Sequence, residues 1–356
     1  MRNRILLALA LGPALAAQGY VSPAHFTVAE GNYYGALPLG TTTTPDRYLQ
    51  VHDDFAGTAR SIGALAFRRD GGNPYEYQAY SMLVDVLVST AATSSDLISA
   101  TFDNNHGANK TTVGQFKLVQ FPVTNHTSER AFDYRIPFDR PFAFNGAGPF
   151  CWEIKVSSRT NANTFYFDAF YLANSNPYPY DWTWGTGCKA TGETYPMSMS
   201  GGSYANWSGG SVTLRYTGYY FPANALITLL IGAQDKNFGG IPLPYELPGT
   251  NGFPSGKCFL YLDPLLTVPQ LTNAQGQLNA NLGVGVNTSN NGNLLFVQAV
   301  AIDTQANAFG LVLGNMVQTQ VLAPFTNLPI SQVYLQGGIG AVGTVSKNIG
   351  YVIKVD

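Results

Sequence analysis

Charge is what this 356-residue sequence has least of. Asp, Glu, Lys and Arg make up 11% of it, against about a quarter in an ordinary globular chain. The net charge is −2 and no basic stripe interrupts the sequence. That argues against a nucleic-acid partner, which needs cations to neutralise phosphates, and against polybasic membrane targeting. No apolar run reaches the ~20 residues of a spanning helix, so the mature chain is expected to carry no membrane insertion. Helical periodicity is missing too. So are the Gly-x-Ser-x-Gly elbow, His-Glu-x-x-His, a phosphate-cradling loop and Cys-x-x-Cys. The four histidines, His25, His52, His106 and His126, are scattered and form no metal-ligand spacing.

What is present is turn-forming and aromatic: 38 Gly, 21 Pro, 21 Tyr and 21 Phe, the vocabulary of short strands joined by tight turns. The first residues have a different character. Arg2 and Arg4 precede an apolar run at 5–11, Gly12-Pro13 breaks it, and Ala14-Leu15-Ala16 supplies a small-x-small site. This reads as a secretory signal peptide over 1–17, cleaved after Ala16 or Ala17. The expected location is secreted, extracellular or cell-surface. No Cys follows the cleavage site, which argues against a lipoprotein.

Three cysteines in an exported chain suggest one disulfide and one leftover thiol. Cys188 and Cys258 each adjoin a Gly-rich turn and are expected to pair. Cys151 lies in Phe150-Cys151-Trp152-Glu153-Ile154-Lys155-Val156, where alternation puts Trp152, Ile154 and Val156 on one face and Cys151, Glu153 and Lys155 on the other. It is expected to be an unpaired thiol under a loop.

Strand patterns recur near 47–51, 60–67, 77–88, 112–121, 132–138, 150–157 and 164–172. After a Pro- and aromatic-rich stretch at 174–187 they resume near 211–216, 225–231, 258–262, 282–286, 294–302, 310–313, 332–336 and 350–355. Residues 18–46 read as irregular. The fold class is all-β, with two β-sandwich domains: a jelly-roll-like one at 18–173 and an Ig-like one at 188–356, joined by the 174–187 connector.

Val86-Leu87-Val88-Ser89-Thr90, followed by Phe102-x-x-Asn105-x-Gly107-x-x-x-Thr111-x-Val113, resembles a module of uncharacterised exported two-domain β-sandwich proteins of planctomycete-like bacteria. Phe138-Asp139-Arg140-Pro141-Phe142 and Trp152-Glu153-Ile154 resemble its closing strands. Leu229-Leu230-Ile231-Gly232, Ile241-Pro242-Leu243-Pro244 and Gly256-Lys257-Cys258 resemble the accompanying disulfide-bearing C-terminal sandwich. The resemblance implies a fold and no activity; Asn105 and Gly107 are expected at positive-φ turn positions.

Candidate chemistry is sparse. Asp53 and Asp54, with Asp70, offer oxygens for Ca²⁺, but no Asp-x-Asp-x-Asp-Gly loop accompanies them and a solvated turn is favoured. Asp103, Asn104, Asn105 and Asn109 offer ligands from one loop, or simply satisfy its backbone. Tyr178, Tyr180, Trp182 and Trp184 recur with period two and, with Trp207, offer a sugar-stacking platform; packing between the two sandwiches is the favoured alternative. Glu153 and Asp168 are the carboxylates a glycosidase would use.

The reading is an exported, non-catalytic cell-surface or matrix protein that acts by binding or assembly, contacting polysaccharide or neighbouring surface proteins. A dedicated carbohydrate-binding protein using Tyr180, Trp182, Trp184 or Trp207 is the alternative. A divergent glycoside hydrolase or lyase is the second.

Overall fold

Alternation of buried and exposed side chains marks several strands, Ser211–Tyr219 and Leu278–Gly285 among them. The computed structural model describes residues 19–27, 30–31, 33–71, 76–125, 131–172, 181–208, 210–248, 255–287, 293–321 and 329–356. The proposed signal peptide and Tyr178 and Tyr180 therefore lie outside the described residues. The protein is all-β: 54% is strand, and among the described residues no helix reaches seven residues. None of those short helices is long and apolar enough to cross a membrane.

In chain order the first strands are β1 (Tyr20–Ser22), β2 (Tyr33–Gly35), β3 (Asp46–His52), β4 (Arg60–Phe67) and β5 (Tyr80–Thr90). Next come β6 (Thr111–Phe121), β7 (Tyr134–Phe144), β8 (Phe150–Arg159) and β9 (Phe167–Tyr171). The middle of the chain forms β10 (Asp181–Trp184), β11 (Ser198–Ser208), β12 (Ser211–Tyr219) and β13 (Leu226–Gly232). Four short pieces follow, β14 (Asn237–Phe238), β15 (Ile241–Pro242), β16 (Tyr245–Glu246) and β17 (Phe259–Leu260). Then come β18 (Leu266–Leu271), β19 (Leu278–Gly285), β20 (Leu294–Ile302) and β21 (Leu311–Gln320). The chain ends with β22 (Ile330–Gln336), β23 (Thr344–Lys347), β24 (Ile349–Tyr351) and β25 (Ile353–Val355).

One group of sheets has the orders β23-β22-β3-β8-β5-β6, β1-β25-β4-β7 and β2-β9-β24. Their inner faces enclose a core that includes Trp152, Ile154 and Val156 of β8, Phe67 of β4, Ile136 of β7, Phe167 of β9 and Tyr351 of β24. Cys151 faces the other way, into a smaller cluster with Leu49, Val51, Ile98 and Phe102 under the 91–105 segment, as the alternation requires. A second group, β10-β21-β20-β13-β18 and β11-β12-β19, encloses Leu214, Tyr216, Leu229, Val297, Ala299 and Val317. The Cys188–Cys258 disulfide lies in that second core and closes a separation of 70 residues, worth about 4 kcal/mol in the chain-entropy model.

The ladders depart from the expected order along the chain at its C-terminal end. Residues 330–355 were expected in the second sandwich, yet β22 pairs with β3, β24 with β9, and β25 with both β1 and β4. Local patterning marks a segment as strand but carries no address for its partner, so a long-range return leaves no trace in the sequence. The stretch at 181–184, expected as connector, is instead an edge strand paired to β21. Asn105 and Gly107 are also corrected, since neither has positive φ. Asn105 caps its own loop through Ser99, Thr101 and Phe102. Gly107 is required by close approach, because a Cβ there would sit 2.5 Å from the Thr90 carbonyl oxygen.

A chain ending at Pro329 would leave β1, β3, β4 and β9 each short of a ladder partner. Such a truncation is expected to lose near-ultraviolet circular dichroism and cooperative urea unfolding of the first sheet group. Retention of both would show that the returning strands are dispensable.

Candidate functional site

On β3 the side chains of Tyr48, Gln50 and His52 alternate toward the interior. The β22 ladder sets Gln332 beside Gln50 and Tyr334 beside Tyr48, and β23 sets Ser346 beside Gln332. Tyr48, Gln332 and Tyr334 of this sheet, with Tyr33, Ala169 and Tyr351 of the β2-β9-β24 sheet, line a cavity of about 550 Å³, within the range of ligand pockets. Six tyrosines line it, Tyr33, Tyr34, Tyr48, Tyr166, Tyr334 and Tyr351. Gln332, Gln336, Thr41, Thr42, Thr43, Thr164 and Ser346 add amides and hydroxyls, and among the described residues no Asp, Glu, Lys, Arg or His lines it. Tyr33 and Tyr34 are 40% and 45% exposed, their rings stacked at 5.5 Å and 6°. Tyr166 meets Tyr34 edge-on at 4.8 Å. The hydroxyls of Tyr33, Tyr34, Tyr166 and Tyr334 have no hydrogen-bond partner among the described residues. The arrangement offers flat apolar faces and neutral donors and acceptors without any fixed charge.

The floor rests on a buried polar relay. Gln50 clasps the backbone of Tyr351, its Oε1 accepting the N–H at 2.8 Å and its Nε2 donating to the carbonyl at 2.9 Å. Gly350 makes that clasp fit, because a Cβ there would meet Gln50 Oε1 at 2.6 Å. His52 Nε2 receives Trp152 Nε1–H at 3.0 Å and lies 2.6 Å from Gln50 Nε2. Two donors face Nε2, so the ring proton sits on Nδ1 and is given to Ser22 Oγ at 2.6 Å. Ser22 in turn donates to Asp54 Oδ1 at 2.6 Å. Burial pulls the His52 pKa down to about 3.

On the opposite face of the same sheet, Arg47 donates to Glu153 through Nε at 2.8 Å and Nη2 at 3.2 Å. His106 Nε2 lies 3.0 Å from Glu153 Oε2, and Ser89 Oγ lies 2.8 Å from His106 Nδ1. Burial raises the Glu153 carboxyl, but hydrogen bonds from His106 and Arg47 outweigh it and hold the acid below its ordinary range. The Ser–His–Glu trio has the composition of a hydrolase triad with its ring nitrogens exchanged, since the serine of a triad faces Nε2. Ser89 and Glu153 are fully buried. Burial also pushes the Cys151 thiol well above its ordinary pKa.

The residues expected from sequence fall elsewhere. Trp182 is buried on β10, opposite Gln318 of β21. Trp184 packs beside Leu262, Phe296 and Met316. Tyr180 and the Trp207 side chain lie outside the described residues. Asp53 accepts from the Ser95 backbone and hydroxyl, and Asp54 from Ser22, Tyr20 and the Ala24 N–H. Their oxygens thus face donors, and among the described residues Asp53, Asp54 and Asp70 form no three-ligand group. Asp168 pairs with Arg68 at 2.6 Å on β9, and Glu153 with Arg47 on β8, in different sheets. Asp103 pairs with Lys110 and Arg47, while Asn109 holds Thr90. The tyrosine pocket was missed because its parts come from both ends of the sequence; the Tyr33-Tyr34 doublet and the Thr41–Thr44 run were its only local signs.

Acid should therefore weaken the fold through His52. The unfolded histidine takes its proton below about 6.5 and the folded one only below about 3. Stability present at neutral pH is lost as pH falls through that window, by roughly 4–5 kcal/mol in full. Asp54 works in the opposite sense, because burial raises its carboxyl and favours the fold as pH drops. The readout is consequently the difference between wild type and His52→Asn in urea unfolding at pH 7 and pH 4. The variant is expected to show the shallower pH dependence; equal slopes would remove His52 from the account.

No protein-family model matches this chain, and no curated protein matches it.

Proposed function

We propose that this is an exported surface or matrix protein that acts by binding, and that its tyrosine-lined pocket takes an uncharged saccharide. One observation carries the reading: a cavity of ligand size pairs exposed, stacked tyrosine rings with unpartnered hydroxyls and, among the described residues, no ionisable lining group besides tyrosine. Apolar faces of sugar rings complement aromatic faces, and sugar hydroxyls complement tyrosine hydroxyls and glutamine amides. The platform proposed here is Tyr33 and Tyr34 in place of the tryptophans near the connector. Part of the same proposal is a division into two sandwich units, β1–β9 with β22–β25 and β10–β21. The jelly-roll-like and Ig-like descriptions and the signal peptide at 1–17 belong to it too.

The test is a glycan array followed by calorimetry with neutral oligosaccharides. Tyr34→Ala is expected to weaken binding about tenfold, the loss of one stacked aromatic contact, with folding unchanged. Saccharide binding that survives Tyr33→Ala and Tyr34→Ala together would place the ligand elsewhere.

Contact with neighbouring surface proteins is a second reading, favoured by one apolar row. Leu226 faces Leu271 across the β13–β18 ladder, and Ile302 lies one step past the Ile227–Ala301 pair. These three are 63%, 70% and 75% exposed, at the edge side of a sheet whose last strand is β18. If the row mediates assembly, Leu226→Glu should lower the sedimentation-detected association of the protein with itself or a surface partner. An unchanged profile would remove the row from the argument.

A further inference from the structure

The buried relay fixes which end of an amide the pocket presents. Tyr48 Oη lies 2.7 Å from Gln50 Oε1 and 2.5 Å from Gln332 Oε1. A tyrosine hydroxyl has one proton and cannot donate to two carbonyl oxygens. Gln50 admits no ambiguity, because its Oε1 accepts the Tyr351 N–H and its Nε2 donates to the Tyr351 carbonyl. Tyr48 must therefore donate to Gln50, and whatever Gln332 sets against Tyr48 must itself be a donor. The two ends of a glutamine amide are told apart only by such a network. Burial lifts the Tyr48 hydroxyl well above its ordinary pKa, so its proton is present throughout the working range. Gln336 lacks any such constraint, since its partner Thr43 Oγ1 at 3.0 Å can give or accept.

We infer that Gln332 turns its NH2 to Tyr48 and its carbonyl oxygen to the pocket, making it a specificity-determining acceptor that selects ligands offering a hydroxyl donor. The inference about selection rests on the saccharide reading of the pocket; the amide orientation does not. The Gln332 side chain has no further hydrogen bond among the described residues, so its second amide atom is left for an occupant. Acceptor-only ligands, such as ethers, would set oxygen against oxygen there. A site built around a substrate hydroxyl rejects an analogue lacking it by far more than the loss of a methylene does, because the acceptor is then left unpaired. A tenfold to hundredfold preference, in round terms about 1–3 kcal/mol, is the scale of one such unmade bond.

The experiment uses the full mature protein with side-chain ¹⁵N-labelled glutamine, the Gln332 signal being assigned by its loss in Gln332→Met. Without ligand, the Gln332 NH2 is expected to exchange slowly and to show a nuclear Overhauser effect to the Tyr48 ring. A rapidly exchanging pair with no effect to Tyr48 overturns the orientation. D-glucose and per-O-methylated glucose are then added at equal concentration, one with hydroxyl donors and one without. Glucose alone is expected to shift the pocket signals of Gln332 and Tyr334. Shifts from the methyl ether as large as those from glucose overturn the selectivity. If neither shifts the signals, the saccharide reading and the selectivity fall together, while the amide orientation stands on the ligand-free measurement.

Discussion

A strand that is buried throughout and mostly polar must find a partner for every side chain it carries, and β3 is that strand. All seven residues from Asp46 to His52 are buried, and only Leu49 and Val51 are aliphatic. Asp46 pairs with Arg159 at 2.7 Å, Arg47 with Glu153, and Tyr48, Gln50 and His52 join the relay that ends at Ser22 and Asp54. An apolar strand of similar volume would often be as stable or more so, because desolvating ion pairs consumes much of what their attraction returns. Removing one partner is a different matter, since it leaves a buried charge unpaired at about 3–5 kcal/mol. The polar strand therefore defines its surroundings. A slip of one residue would reverse its faces, turning Arg47 into the aromatic core and Tyr48 under the 91–105 segment. Every one of these pairings would break at once.

The same requirement ties the two ends of the sequence together. Gln50 takes its amide partners from Tyr351, and Tyr48 meets Gln332, so the relay is complete only when the last strands have returned. Tyr351 also donates to the Leu37 carbonyl, which fastens the segment leading from β2 to β3. The pocket is a product of that closure. Its walls come from β2 and the following loop on one side and from β22 and β24 on the other, and its floor is the end of the relay. Pocket lining and folding constraint share the same residues.

How much of this was legible in the sequence follows from which contacts are local. β-Branched and apolar runs between turn clusters marked β4 and β20 to the residue, and strict alternation placed Trp152, Ile154 and Val156 opposite Cys151. A local run of strand-forming residues bounded by turns needs no knowledge of partners. The pairing of Cys188 with Cys258 followed from turn context and exclusion. By contrast β1, β2 and β10 are three or four residues long, too short to show a period, and they exist because a neighbour supplies the ladder. The aromatic period at 178–184 was visible, but the described part of it, Trp182 and Trp184, is absorbed in packing. Tyr33, Tyr48, Tyr166, Tyr334 and Tyr351 are scattered over more than three hundred residues and become one site only through the closure of the sheets.

The scarcity of charge then acquires a structural meaning. The charged side chains of β3 are spent on partners: Asp46 on Arg159, and Arg47 on Glu153 on the far face of the sheet. What reaches the cavity is the end of a chain of neutral dipoles, from the Trp152 indole and the His52 imidazole through Gln50 and Tyr48 to Gln332. A site of this kind exerts no long-range pull on an ion and gains little from steering by net charge. Under the saccharide proposal, discrimination has to come from contact, from ring faces at fixed angles and from the sense of each donor and acceptor. That places unusual weight on the direction of a single amide, because in a pocket whose described lining is uncharged the direction of a hydrogen bond is the strongest polar information it can hold.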